Sequence, residues 1–145
     1  MKIRKATKKD SLQILNIMKL NSPKYSKTLA RKEINEMFSK SLIKPTYLVA
    51  EEKGKLAGCG GFIPSWVDNN VYDIFWLSVH PNFKNKGVGK NIVRHLIKEV
   101  RKIKDPIAKL IIISTKIPLF FRNLGFKKIS KKYDRNYILM GIVLK

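Results

Sequence analysis

Cysteine is almost absent from this chain. Cys59 is the single one among 145 residues, so no internal disulfide can staple the fold and the core must hold by packing. Its setting, Ala57-Gly58-Cys59-Gly60-Gly61-Phe62, is apolar and glycine-flanked, which suits a packed strand and not a reactive thiol. There are 2 histidines, and no grouping of His, Cys and Asp has the spacing of a metal site, so no metal is expected. No apolar run approaches the roughly 18 residues of a membrane span. The opening Met1-Lys2-Ile3-Arg4-Lys5 lacks the apolar region of a secretion signal, so a soluble, cytoplasmic protein without a membrane partner is expected. Linkers rich in Gly, Ser and Pro are missing too. One domain over residues 1–145 is expected, with 44% hydrophobic residues to build its core.

Negative charge is the other scarcity. Asp and Glu number 10 against 31 Lys and Arg, a formal net charge of +21. That excess favours acidic partners such as nucleotide phosphates, nucleic acid or a ribosome. It is also what a lysine- and isoleucine-rich source proteome would produce, since the lysines spread along the chain instead of forming one block. Both readings stay open.

The stretch from Trp76 to Leu96, WLSVHPNFKNKGVGKNIVRHL, organises the rest. An apolar strand breaks at Pro81 and passes through a basic turn, Lys84-Asn85-Lys86-Gly87-Val88-Gly89-Lys90. An amphipathic helix follows, with Val88, Ile92, Val93, Leu96, Ile97 and Val100 on one face. The first amides of a helix lack internal partners and glycines admit close approach, so the turn suits an anion. A P-loop is a poor fit, because Gly89-Lys90 is followed by Asn91 and Lys84 stands where its first glycine belongs. A dinucleotide fingerprint fits no better, with Ile92 at its third glycine.

The arrangement instead resembles the acyl-CoA motif of the GNAT superfamily of N-acetyltransferases, an L-x-V strand end followed by [Q/R]-x-x-G-x-[G/A] opening a helix. Leu77-Ser78-Val79 matches the strand end, and Lys84-x-x-Gly87-x-Gly89 matches the loop with Lys in its first position. Phe120-Phe121-Arg122-Asn123-Leu124-Gly125-Phe126 resembles a second family signature, F-Y-x-x-L-G-F, whose helix packs beside the CoA thiol.

Element signals run in the family's order. A strand is expected at Lys2–Ala6, then a helix opened by a capping pair, Thr7 and Asp10. A break at Asn21–Ser26 leads to a second helix over Thr28–Lys40. Strands Thr46–Glu52 and Lys55–Ser65 form a hairpin about Lys53-Gly54. A strand at Val71–His80 leads into the central loop, and its helix ends near Lys104. Ile107–Ser114 is a buried strand, Ile117–Leu124 a short helix, and Lys127–Tyr133 with Asn136–Leu144 a closing antiparallel pair. The expected class is α/β (α+β), a mixed, mostly antiparallel central sheet flanked by helices.

The resemblance implies direct transfer of an acetyl group from acetyl-CoA to a primary amine, on a small molecule, a peptide or a protein. It implies that Leu77, Ser78 and Val79 line the pantetheine arm, and that Lys84, Asn85, Lys86, Gly87, Val88, Gly89, Lys90 and Asn91 hold the pyrophosphate. Ser114 and Phe121 stand beside the thiol. Phe121 departs from the family, because it occupies the position of a tyrosine that protonates the leaving thiolate. Tyr133, Ser114, Thr115 or water are the candidate substitutes. Asp73, four residues before Leu77, is the candidate base, with Glu51 and Glu52 as runners-up. The histidines are weaker candidates, His80 at a strand end and His95 on a lysine-rich helix. The missing acid and the high charge also fit a second class, a noncatalytic CoA-binding or nucleic-acid-binding module of the same fold, and a second copy of the chain is a further candidate partner.

Overall fold

The capping signal near the N-terminus is realised. The Thr7 N–H donates to Asp10 Oδ2 at 2.7 Å, and Arg4 adds two bonds to the same carboxylate at 2.8 and 3.0 Å. The carboxylate thus ties strand β1 (Lys2–Lys5) to helix α1 (Ser11–Asn21). The computed structural model describes residues 1–24 and 26–145; Tyr25, in the expected break after α1, lies outside them. Helix α2 (Lys27–Glu36) opens on Ser26, whose Oγ accepts from the Leu29 N–H at 3.3 Å. The remaining elements are β2 (Thr46–Glu52), β3 (Lys55–Pro64), β4 (Val71–Val79), α3 (Val88–Arg101), β5 (Leu110–Thr115), α4 (Pro118–Arg122), β6 (Lys127–Lys128) and β7 (Ile138–Val143).

Among the described residues these form one 7-stranded sheet in the order β1-β2-β3-β4-β5-β7-β6. Every neighbouring pair is antiparallel except β4 with β5. The mixed, mostly antiparallel sheet expected from the sequence is therefore the fold. Its two faces carry separate cores. On one side α3 lays down Val88, Ile92, Val93, Leu96, Ile97 and Val100 against Ala57, Ile74, Ile111 and Met140. Burying each of these large side chains contributes about 1.5–3 kcal/mol. On the other side α1 and α2 pack Ile14, Ile17, Met18, Ala30 and Ile34 against Tyr47, Val49 and Cys59.

The glycines of β3 explain how α3 comes so close. A Cβ on Gly58 would lie 3.0 Å from Ile92 Cδ1 and 2.9 Å from the Ser78 carbonyl, and one on Gly60 would lie 3.0 Å from Ile92 Cγ2. Helix and sheet meet where side chains are missing. Cys59, between them, points to the other face and is fully buried, and burial pushes its thiol up to about 12. A thiol held neutral is no nucleophile.

Several boundaries differ from the expected ones. Helix α2 stops at Glu36 and not Lys40, because the N–H groups of Met37, Phe38 and Ser39 turn back onto carbonyls three residues earlier. Helix α3 stops at Arg101 and not Lys104, and β5 begins at Leu110 and not Ile107; an isolated bridge between Lys104 and Ile107 turns the chain ahead of the strand. The expected strand Lys127–Tyr133 shrinks to Lys127–Lys128, since the Tyr133 N–H bonds the Tyr137 carbonyl at 3.1 Å in a turn of its own.

Candidate functional site

Two irregularities in β4 open a gap in the middle of the sheet. The first is a bulge. Cys59 pairs with Ser78 and Gly61 with Phe75, so β4 carries one extra residue there, and Trp76 takes a left-handed φ of 51°. A bulge bends its strand and re-aims the residues beyond it. The second is the loss of a neighbour. β4 pairs with β5 only at Val71–Leu110, Tyr72–Ile111 and Asp73–Ile112, although both strands continue. Parallel ladders are regular, so from Ile74 onward the facing backbone groups of β4 are left without ladder partners.

The gap is the floor of a cleft of about 1070 Å³, walled by Ile74 to Val79 on β4, Ile113 to Ile117 at the end of β5 and just beyond it, and Phe120 and Phe121 on α4. Its far end is the basic turn. Gly87 is the N-cap of α3 with φ 78°, a conformation that suits glycine. The first intrahelical bond runs from the Asn91 N–H to the Gly87 carbonyl at 3.1 Å, so the amides of Val88, Gly89 and Lys90 precede it and remain for a ligand. Gly89 lies on the cleft floor, where a Cβ would stand 3.5 Å from both Phe120 and Val79. Lys84 and Lys90 bring positive charge to the same end. Unpaired amides, a helix N-terminus and flanking cations fit a pyrophosphate, and an unpaired strand edge fits an extended amide chain such as pantetheine.

Most of the expected binding residues come together here. Leu77, Ser78, Val79, Lys84, Asn85, Gly87, Val88, Gly89, Lys90, Ser114 and Phe121 all line the cleft. Lys86 and Asn91 do not: the Lys86 ammonium stands 5.6 Å over the Phe83 ring, and the Asn91 amide is taken by Gly87. The Val79 carbonyl, expected to pair with the pantetheine arm, already accepts from Asn21 Nδ2 at 2.8 Å.

The carboxylates divide sharply. Glu51 accepts from Arg4 Nε at 3.0 Å, and Glu52 pairs with the N-terminal amine at 3.4 Å. Both are held at the β1 edge of the sheet, which rules them out as bases for the cleft. Asp73 sits at the last paired position before the gap. Tyr72 and Ile74 pack beneath α3, so Asp73 faces the side of α1 and α2. It is not among the cleft-lining residues. Its Oδ1 is buried with no hydrogen bond, and burial raises its pKa above the ordinary carboxylate value, opposed by a hydrogen bond from Ser65.

The possible proton donors also sort themselves. The Thr115 hydroxyl accepts from the Ile117 N–H at 3.0 Å. Ser114 and Tyr133 hydrogen-bond each other at the cleft edge. Tyr137, which sequence reasoning did not single out, is among the residues that line the cleft; it lies just before β7, at a position no spacing rule marks. Phe121 is buried, ringed edge-on by Phe120 and Phe126 at 4.9 and 5.4 Å between centroids. His80 Nδ1 accepts from the Asn82 N–H at 3.1 Å, and His95 is exposed on α3. Among the described residues no cluster of His, Cys, Asp or Glu could hold a metal ion, and no helix is long and apolar enough to cross a membrane.

Residues 14–126 match the acetyltransferase (GNAT) family, and the chain belongs to that family. Solved structures repeat the fold across nearly all of it. An aminoglycoside 6'-N-acetyltransferase complexed with coenzyme A is similar at 17% identity and a TM-score of 0.81, over 99% of this chain and 97% of that one. A ribosomal-protein-alanine N-acetyltransferase from Brucella melitensis is similar at 18% identity and a TM-score of 0.78, over 99% and 100%. Rv2747 from Mycobacterium tuberculosis, solved with CoA, is similar at 19% identity and a TM-score of 0.76, over 100% of both chains.

Proposed function

We propose that this protein is an N-acetyltransferase that binds acetyl-CoA in the β4–β5 cleft and transfers the acetyl group to a primary amine. The observation that carries the reading is the coincidence, in one cleft, of the unpaired β4 edge with the free amides of Val88, Gly89 and Lys90. Those amides, with Lys84 and Lys90, hold the pyrophosphate, and the edge from Ile74 to Leu77 holds the pantetheine arm. Acetyl-CoA supplies an activated thioester when bound. The chain's own contribution is mostly placement, since aligning two reactants can remove about 7–11 kcal/mol of a barrier. Backbone N–H groups of the opened β4 segment stabilise negative charge developing on the carbonyl oxygen.

Asp73 accepts the proton of the attacking amine through a bridging water. Burial, which raises its pKa, makes it a stronger base than an exposed aspartate. The phenol of Tyr137 is the proton source for the departing thiolate, in place of the hydroxyl that Phe121 lacks. The noncatalytic alternative rests on Phe121 and on the net charge of +21, and Tyr137 in the cleft weakens the first of these. The amine is carried by a small molecule or a peptide; the similar proteins named above span both kinds. The deciding experiment is calorimetry with acetyl-CoA followed by mass spectrometry of acetylated products over a panel of amines, amino-terminal peptides and RNA. Binding with acetylation of an amine upholds the reading. Binding without any product transfers it to the noncatalytic class, and no binding removes both.

A further inference from the structure

The β4 segment that walls the cleft is also fastened by side chains from the helices. Asn21, the last residue of α1, donates through Nδ2 to Ser78 Oγ at 2.6 Å and to the Val79 carbonyl at 2.8 Å. From α2, Glu33 Oε2 accepts the indole N–H of Trp76 at 2.8 Å. Both contacts land on the stretch beyond Asp73 that has lost β5. Trp76 is the bulge residue itself, holding the positive φ. A tryptophan in that region persists only where its surroundings over-determine it.

Nothing in acetyl transfer demands a carboxylate on α2. Among the described residues, Glu33 is the acidic residue, of the chain's 10, whose side chain bonds to a residue of the cleft wall. The others bond elsewhere or lie at the surface: Asp10 and Glu51 go to Arg4, Glu52 to the N-terminal amine, Glu36 to Ser39 and Ser41, and Glu99 to Lys102. In a chain so short of negative charge, one carboxylate has been spent on an indole. A hydrogen bond to an ionised acceptor in a partly buried setting is stronger than a neutral one, which suits an anchor.

We propose that Glu33 is a positioning residue: by anchoring the Trp76 indole to α2 it holds the β4 bulge, and with it the strand edge that faces the cleft. This rests on the reading above that the cleft carries out acetyl transfer. It makes the placement of α2 a determinant of the transfer step, while the anion-binding turn at α3 works independently of it. A shift of about 1 Å in a positioning element can cost 10²-fold in rate.

The test uses the second tryptophan. Trp66 is 87% exposed and is not among the cleft-lining residues, so a Trp66→Phe background leaves Trp76 as the sole indole and its emission as a direct report on the anchor. In that background Glu33→Ala is expected to red-shift Trp76 emission and increase acrylamide quenching. It should lower kcat about 10-fold or more and leave the acetyl-CoA Kd within about two-fold. Glu33→Gln keeps an oxygen acceptor and should recover most of both signals; Trp76→Phe should match the kcat of Glu33→Ala, and the double variant should add little to either. Unchanged Trp76 emission in Glu33→Ala overturns the proposal. So does a kcat loss that Gln fails to recover, or one matched by an equal loss of acetyl-CoA affinity and thermal stability. If wild type acetylates no amine, the functional reading has failed, and the emission of Glu33→Ala against Glu33→Gln still decides whether Glu33 holds the bulge.

Discussion

Two carboxylates of this molecule have opposite surroundings. Asp10, 4% exposed, lies beside the closed half, where β1, β2 and β3 pair along their lengths. It accepts from Arg4 twice and from the Thr7 N–H, and the Arg4 guanidinium holds its pKa below the usual carboxylate value. Asp73 lies where the sheet comes apart, with one oxygen buried and unbonded and its pKa raised by burial. One half of the molecule satisfies its buried charge, and the other leaves it partly unmet at the edge of a cleft. A carboxylate so placed can do work at neutral pH that a satisfied one cannot.

The comparison predicts that the halves break independently. The largest effect is expected from the paired change Gly87→Glu with Gly89→Glu, which puts two side chains and two negative charges at the anion end of the cleft. The acetyl-CoA Kd, read by calorimetry, should rise at least 100-fold, about 2.7 kcal/mol. Stability should fall only by the cost of a left-handed non-glycine at position 87, about 1–2 kcal/mol. An unchanged Kd would remove the turn from the site.

Next comes Arg4→Ala, aimed at the closed half. It strands Asp10 and frees Glu51, and denaturant unfolding at pH 7 should show a loss of about 3 kcal/mol. The acetyl-CoA Kd should not move. The sign of the pH dependence follows from the lowered Asp10 pKa. Its stabilisation is complete above the unfolded value, near 3.8, and is lost as pH falls through the lower folded value. The variant, lacking that contribution, should lose less stability than wild type over the same acid range.

What the sequence made legible follows this division. Elements defined by local rules were readable: the Thr7–Asp10 capping pair, the apolar face of α3, the hairpin at Lys53-Gly54, and Gly87 and Gly89 opening a helix. The opening of the sheet was not. Nothing in Phe75-Trp76-Leu77 announces a positive φ at tryptophan, because the bulge is a register relation between β3 and β4. Glu33 and Asn21 stand 43 and 57 positions before the β4 residues they bond, so they meet β4 only after the chain between has folded back. Tyr137 enters the cleft because β7 crosses beside β5, a pairing that no short motif encodes. The overlong strand expected at Lys127–Tyr133 has the same origin, since alternation in that lysine-rich stretch sets no limit where tertiary pairing stops.

Asp73→Asn sharpens the comparison at a smaller scale. If Asp73 takes the amine proton, the variant should turn over about 10–100-fold more slowly at neutral pH, with acetyl-CoA affinity unchanged. The wild-type rate should fall on the acid side, with an apparent pKa above that of an ordinary aspartate, and the variant should lose that limb. Stability should move the other way from Arg4→Ala. A raised folded pKa means that the ionised Asp73 costs stability above its unfolded value, a cost relieved as pH falls. Asp73→Asn should therefore be at least as stable as wild type at pH 7, and the difference should shrink in acid. Rates of Asp73→Asn equal to wild type across about pH 6 to 9, above the ordinary carboxylate pKa, would take Asp73 out of the mechanism.

The smallest expected effect tests whether the open half supplies its own acid. Phe121→Tyr adds one hydroxyl to a ring that lines the cleft yet is 2% exposed. If thiolate departure is partly limiting, the phenol should raise kcat by about 10-fold, short of the roughly 100-fold at the low end of full general-acid help. A hydroxyl caught among Phe120 and Phe126 without a partner would instead cost about 1–3 kcal/mol of stability, which a thermal melt would expose. Tyr137→Phe provides the counterpart. With Tyr137 as the donor, that variant should lose more than Phe121→Tyr gains, and the double variant should recover much of the loss because either phenol can serve one sulfur. Independent effects that simply add would mean the two rings do not share a proton acceptor. In that case Tyr137 shapes the cleft without donating to the leaving group.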